Sequence, residues 1–360
     1  MHGDARLFRV LACSIVGWCL VLALPCSGQG AEPATLATVA NPGRISSGEP
    51  IAKTFSAEKA ARYLDTAALH WAKTRKCVAC HTDMGYLFAR PALSTTLRDS
   101  GEVRALYERY VTETWKNGPP KEGFNVVVVA SGLTFNDMQT TGKLHEATRR
   151  ALELMWKVQR DDGSWQWLKC GWPPMESDDH YGVTLAALIV GLAPEQYAET
   201  EAARAGLKKI RSYLEKNQPL SLHHRAMIAW ASRRIDGLMS DEQRAETLDE
   251  LLALQRPDGG WSTPGLLADW KGFRRKDGKP HDTGTSDAYA TGFVIVVARN
   301  LGEPTSHPQL QRGITWLLEK QRVSGKWFTR SPTKDSRHYI SNFGTAFAVL
   351  ALQSCDKLRP

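Results

Sequence analysis

The sequence predicts an all-α protein, a single closed α/α toroid of about six helix pairs. Three observations carry that prediction. The string Gln-Arg-x-x-Gly-x-Trp occurs three times, at Gln159–Trp165, Gln255–Trp261 and Gln321–Trp327. Each copy is preceded by a stretch with helical apolar spacing and followed, after a loop, by a helix apolar on most sides. Weaker copies of the same pair extend the period toward the N-terminus.

The first 30 residues read as a signal peptide, with Arg6 and Arg9 before an apolar run from Val10 to Pro25 and small residues after it. The run is short for a membrane span, which needs ~20 residues. An uncleaved anchor, and with it peripheral membrane contact, stays open as the alternative. Residues 31–55, rich in Ala, Pro, Thr, Ser and Gly, read as a flexible leader, and 56–356 as the toroid. Export to a periplasmic or extracellular compartment permits disulfides, and Cys170 with Cys355 is one candidate pair. The net charge of +8 is spread along the chain, with no dense basic run of the kind that binds nucleic acid.

The helix pairs follow in order. Residues 57–75 with 83–97, 102–117 with 124–138, and 200–217 with 221–236 form the weaker units. In the strong units the outer helix ends at the Gly of the repeated string, a residue suited to the left-handed turn at a helix C-terminus. The inner helices are 181–192, 290–298 and 343–352. Such apolar helices cannot stand in a row with bare ends, and closing them into a ring hides them all. Connectivity then places every inner N-terminus at one end of the ring. The three longest loops, 163–178, 259–285 and 325–340, lie at that end too.

The last unit, with Arg312, Gly313, Trp316, Leu317, Gln321, Gly325 and Trp327, resembles the QW repeat of squalene-hopene cyclases and related α/α toroids, over about residues 57–353. In that family these residues are structural, which implies a scaffold role for Gln159, Trp165, Gln255, Trp261, Gln321 and Trp327. Glu176-Ser-Asp178-Asp179 resembles the family's Asp-x-Asp-Asp acid. The resemblance implies that Asp178, supported by Glu176 and Asp179, protonates a polyprene, a small hydrophobic substrate. Glu176 replaces the first Asp, and His180 follows the pair as a competitor for the proton. The cyclases have two toroids where this chain has one.

The first unit breaks the pattern. Where others carry Gly-x-Trp it has Cys77-Val-Ala-Cys80-His81, the attachment signature of c-type haem. Two thiols at this spacing form thioethers to one porphyrin, and the next residue sets an imidazole on the iron. The expectation is haem c on Cys77, Cys80 and His81, with an electron-transfer partner or a redox substrate at the cavity mouth. His338 is the first choice for a sixth ligand; His180, His223, His224, His281 and Met175 are alternatives. Zinc is the rival occupant, and a redox or structural disulfide a further one. A third reading follows exported polysaccharide lyases that share the toroid, with the basic loop Lys271–Lys279 meeting an acidic substrate. Phosphate-binding Gly-rich loops and serine-hydrolase elbows are absent.

Overall fold

Thirteen α-helices are found among residues 32–270, 273–334 and 340–358, which are the residues the computed structural model describes. Six outer helices, α1 (Ala57–Arg75), α3 (Glu102–Arg109), α5 (Glu146–Lys157), α7 (Glu201–Lys216), α9 (Asp241–Ala253) and α12 (Pro308–Lys320), alternate with six inner ones. The inner helices are α2 (Asp83–Ala89), α4 (Gly123–Thr140), α6 (Asp179–Leu192), α8 (Leu222–Ser232), α11 (Ala288–Leu301) and α13 (Ser341–Ser354). A short α10 (Thr263–Leu266) lies in the longest loop. Among the described residues there is no strand, only isolated β-bridges.

The inner helices pack in the order α2, α4, α6, α8, α11, α13, and α13 returns to α2. The ring is closed, an all-α toroid as expected. Outer helices cover the seams: α1 touches α13 and α2, and α12 touches α11 and α13. Inner helices pack closely where a side chain is missing. A Cβ on Gly292 of α11 would meet the backbone of Phe347 in α13 at 2.6 Å, so only glycine permits that approach. Aromatic rings pack within and between the inner helices. Phe88 stacks on Phe135 at 4.2 Å, His223 on Phe293 at 4.4 Å, and Phe343 meets Phe347 edge-on at 5.0 Å.

The repeated string builds one joint three times. The Trp165, Trp261 and Trp327 indoles donate to the carbonyls of Met155, Leu251 and Leu317, each ten residues back. Gln159, Gln255 and Gln321 each donate to the following glycine's carbonyl and to a backbone carbonyl of the next unit, on Gly206, Gln309 and Ser56. Gly163, Gly259 and Gly325 hold φ of 93°, 91° and 95°. A Cβ on Gly325 would also overlap the Lys59 carbonyl.

The leader departs from expectation. Residues 49–52 lie on the last unit as a strap: Ala52 donates to the Gln321 carbonyl at 2.8 Å, Val323 donates to the Pro50 carbonyl at 3.0 Å, and Glu49 pairs with Lys326. Unpaired backbone groups of the 321–326 turn provide its partners, an attraction that composition does not reveal. The signal-peptide reading falls on residues 1–30, which lie outside the described residues. No helix among the described residues is long and apolar enough to cross a membrane.

Candidate functional site

The Cys-x-x-Cys-His turn leads directly into inner helix α2. Lys76, at φ 52°, ends α1 in the left-handed conformation, and Trp71 of α1 donates its indole N–H to the Cys77 carbonyl at 3.1 Å. Cys77 is half-buried, while Cys80 and His81 are buried. The His81 ring meets Trp71 edge-on at 5.1 Å, and its Nδ1 pairs with Thr82 Oγ1 at 2.9 Å. Thr82 Oγ1 in turn accepts from Asn342 of α13 at 3.1 Å, so the imidazole is oriented by the last unit of the ring.

Glu176, from the 163–178 loop, comes down on this turn. Its Oε1 accepts from Cys80 Sγ at 3.3 Å and faces His81 Nε2 at 3.6 Å. Burial pushes the Glu176 carboxyl up, and the Cys80 and Cys170 thiols beside it partly offset that. Burial, reinforced by Glu176, pushes the Cys80 thiol well up, so it is no reactive thiolate. Asp83, first residue of α2, is wholly buried, and neither carboxylate oxygen has a hydrogen-bond partner. Burial alone drives its pKa far upward. An orphaned buried carboxyl is costly, and it follows Cys80 by three residues.

The donor set fits one c-type haem in its chemistry. Two thiols and an imidazole stand in the order such a group would use, Nδ1 is engaged by Thr82 so that Nε2 would be the nitrogen to hold iron, and Asp83 adds a buried carboxyl without a hydrogen-bond partner. Among the described residues no group of three or more His, Cys, Asp or Glu is arranged to hold a metal ion. His338 lies outside the described residues. Met175 is fully buried beside Glu176. Cys170 is exposed, Cys355 buried, and neither is in a disulfide.

The three carboxylates of the Glu-x-Asp-Asp string point to three places. Glu176 serves the Cys-x-x-Cys-His turn. Asp178 caps α6, accepting from the Tyr181 amide at 3.0 Å, and faces His224 Nε2 at 3.4 Å. Burial pushes Asp178 up, but His224 and the Tyr181 amide outweigh it and hold it below the usual range. Asp179 pairs with Lys169 at 2.8 Å and Arg160 at 3.6 Å. His180 is buried against His224, and burial lowers its pKa to about 4. His223 bonds Tyr289 Oη through Nε2 at 2.8 Å. His281 belongs to a separate cavity. Sequence reasoning missed the approach of Glu176 to Cys80 and His81 and the burial of Asp83 beside them in sequence. Only the adjacency of Asp83 was visible there; Glu176 arrives across 96 positions.

No family model matches the chain, and no curated protein does either. Among solved structures it is similar to a polysaccharide lyase, at 13% identity over 84% of this chain and 98% of that one, TM-score 0.47. It is similar to ent-copalyl diphosphate synthase from Streptomyces platensis, at 15% identity over 77% of this chain and 51% of that one, TM-score 0.47. It is also similar to a possible glycoside hydrolase family 105 member from Salmonella enterica, at 11% identity over 76% of this chain and 82% of that one, TM-score 0.48. The class the helices define is the α/α toroid; at these scores the likenesses say nothing of activity.

Proposed function

We propose that this is an exported haem c protein that would carry the group on Cys77 and Cys80, with His81 holding its iron, and that serves electron transfer or a redox reaction at the loop end of the toroid. The turn 77–83 carries the reading: two thiols, an imidazole oriented through Nδ1 by Thr82, and the unpartnered buried Asp83 follow one another at one inner-helix N-terminus. Haem bound there supplies a one-electron couple. Trp71 and Thr82 would hold the imidazole plane. Because Cys80 is buried under Glu176, thioether formation belongs before the 163–178 loop packs.

The cyclase reading has less support. Glu176, Asp178 and Asp179 point to three different places, and the ionised form of Asp178 is the stabilised one.

The test is the full chain expressed with a cytochrome c maturation system. The expected result is a Soret band that survives acid–acetone extraction and disappears in the Cys77→Ala/Cys80→Ala double variant. Wild-type protein without a Soret band overturns the proposal.

A further inference from the structure

A cavity of about 330 Å³ opens at the loop end between the fifth and sixth helix pairs, apart from the Cys-x-x-Cys-His turn. One wall is the strap, through Ser47 and Ile51. A second is the stacked pair Phe273 and His281, with ring centroids 3.5 Å apart and 18° between planes. A third is Phe328, with the Arg322 guanidinium 5.9 Å over its ring. The volume and the mix of flat apolar walls with a few polar groups are those of a small-molecule site.

The polar lining is lopsided. Its three carboxylates already hold donors from the protein. Asp258 accepts from the Gly260 amide at 3.1 Å, the Ser286 hydroxyl at 2.7 Å and the Trp316 indole at 3.0 Å. Asp287 accepts from the Ala290 amide at 3.0 Å and from Thr263 through its amide and its hydroxyl. Asp282 accepts from the Gly284 amide at 2.9 Å and the Thr285 hydroxyl at 2.6 Å, with Arg330 at 3.9 Å. By contrast, Arg322 Nε and His281 Nε2 are buried without any hydrogen-bond partner. Buried polar groups normally find partners. The carboxylates are used up and the Arg322 Nε–H is left over, with His281 Nε2 able to donate in its Nε2–H tautomer, so an acceptor completes the site. The cationic side chains on the wall favour one that bears negative charge.

We propose that this cavity binds a small, flat organic anion of the aromatic carboxylate class, its carboxylate meeting Arg322 and His281 and its ring lying against Phe273 and Phe328. Because Ser47 and Ile51 form part of the wall, the ligand also fastens the strap to the last repeat. The site is independent of haem.

The experiment is titration calorimetry of the full chain with benzoate, with benzyl alcohol as the uncharged counterpart and acetate as the anion without a ring. Benzoate is expected to bind at least about tenfold more tightly than either control, and Arg322→Gln and His281→Ala to weaken benzoate by about tenfold each. Since Arg322 also donates to the Glu49 carbonyl, circular dichroism establishes that Arg322→Gln is folded; if it is not, His281→Ala and the wild-type ligand comparison decide. Benzoate binding no better than benzyl alcohol overturns the proposal, as does wild-type affinity in every folded variant.

Discussion

Gln321 grips Ser56 from both sides: its side-chain oxygen accepts the Ser56 amide at 2.7 Å, and its nitrogen donates to the Ser56 carbonyl at 2.9 Å. These residues lie 265 positions apart, and the contact joins the last helix pair to the first. Gln159 and Gln255 make the same kind of joint between consecutive pairs, so ring closure reuses the internal device.

Gln321→Ala removes the two Ser56 bonds and the one to the Gly325 carbonyl. With each bond worth roughly 0.5–1.5 kcal/mol, the expected loss is about 2–3 kcal/mol. Gln159→Ala, which removes two, should lose about 1–2 kcal/mol. Urea unfolding of both variants checks the order; a larger loss at Gln159 contradicts it.

Arg90 and Asp65 form a buried two-pronged ion pair, Nε to Oδ1 at 2.7 Å and Nη2 to Oδ2 at 3.1 Å. Burial pushes Asp65 up in spite of Arg90. Arg90→Met leaves that carboxyl without its partner and should cost about 3–5 kcal/mol. The double variant Arg90→Met/Asp65→Leu should recover much of this. A double variant as unstable as the single one would show that packing, not the stranded charge, sets the cost.

The strap should respond to acid. Burial tends to raise the Glu49 pKa, but Lys326 and Ser324 outweigh it, and the net value lies below the usual 4.5. A depressed folded-state value means the carboxylate stabilises the docked strap above pH 4.5 and loses that contribution as pH falls through the folded value. Amide hydrogen exchange over residues 49–52 should accelerate in that acid window, and Glu49→Gln should flatten the response while raising the neutral-pH rate. An acid response unchanged in Glu49→Gln would assign it to another group.

Asp178 should behave as a helix cap. Asp178→Ala removes the acceptor for the Tyr181 amide and the partner of His224, with an expected loss of about 1–2 kcal/mol. Asp178→Asn keeps an acceptor at that position and should lose less than half as much. Thermal unfolding of the pair decides; equal losses would place the contribution in the charge facing His224.

Much of the fold was legible because helix pairs write themselves into local spacing. The outer helix expected at 57–75 is found at Ala57–Arg75, and the inner one at 181–192 begins two residues earlier, at Asp179, behind its Asp178 cap. The outer helix expected at 102–117 was harder: it is helical to Arg109 and widens into a π-turn over Tyr110–Thr114. The Cys-x-x-Cys-His turn was legible as a motif, but its surroundings were not. Glu176 meets Cys80 through a loop without secondary-structure signal, and the strap is held by backbone hydrogen bonds that any residue type supplies. Sequence spacing reports what neighbours along the chain do together; it carries little about what a long loop touches.

The closed ring gives this repeat array no first or last member. An open solenoid needs polar capping repeats and can fray inward from either end. Here every helix pair has two neighbours, so the array has the periodic boundary of a circle. Unravelling then has no end to start from: any one pair that leaves creates two bare faces at once, and the first opening falls at whichever joint is weakest. The repeats are bound to stand or fall together.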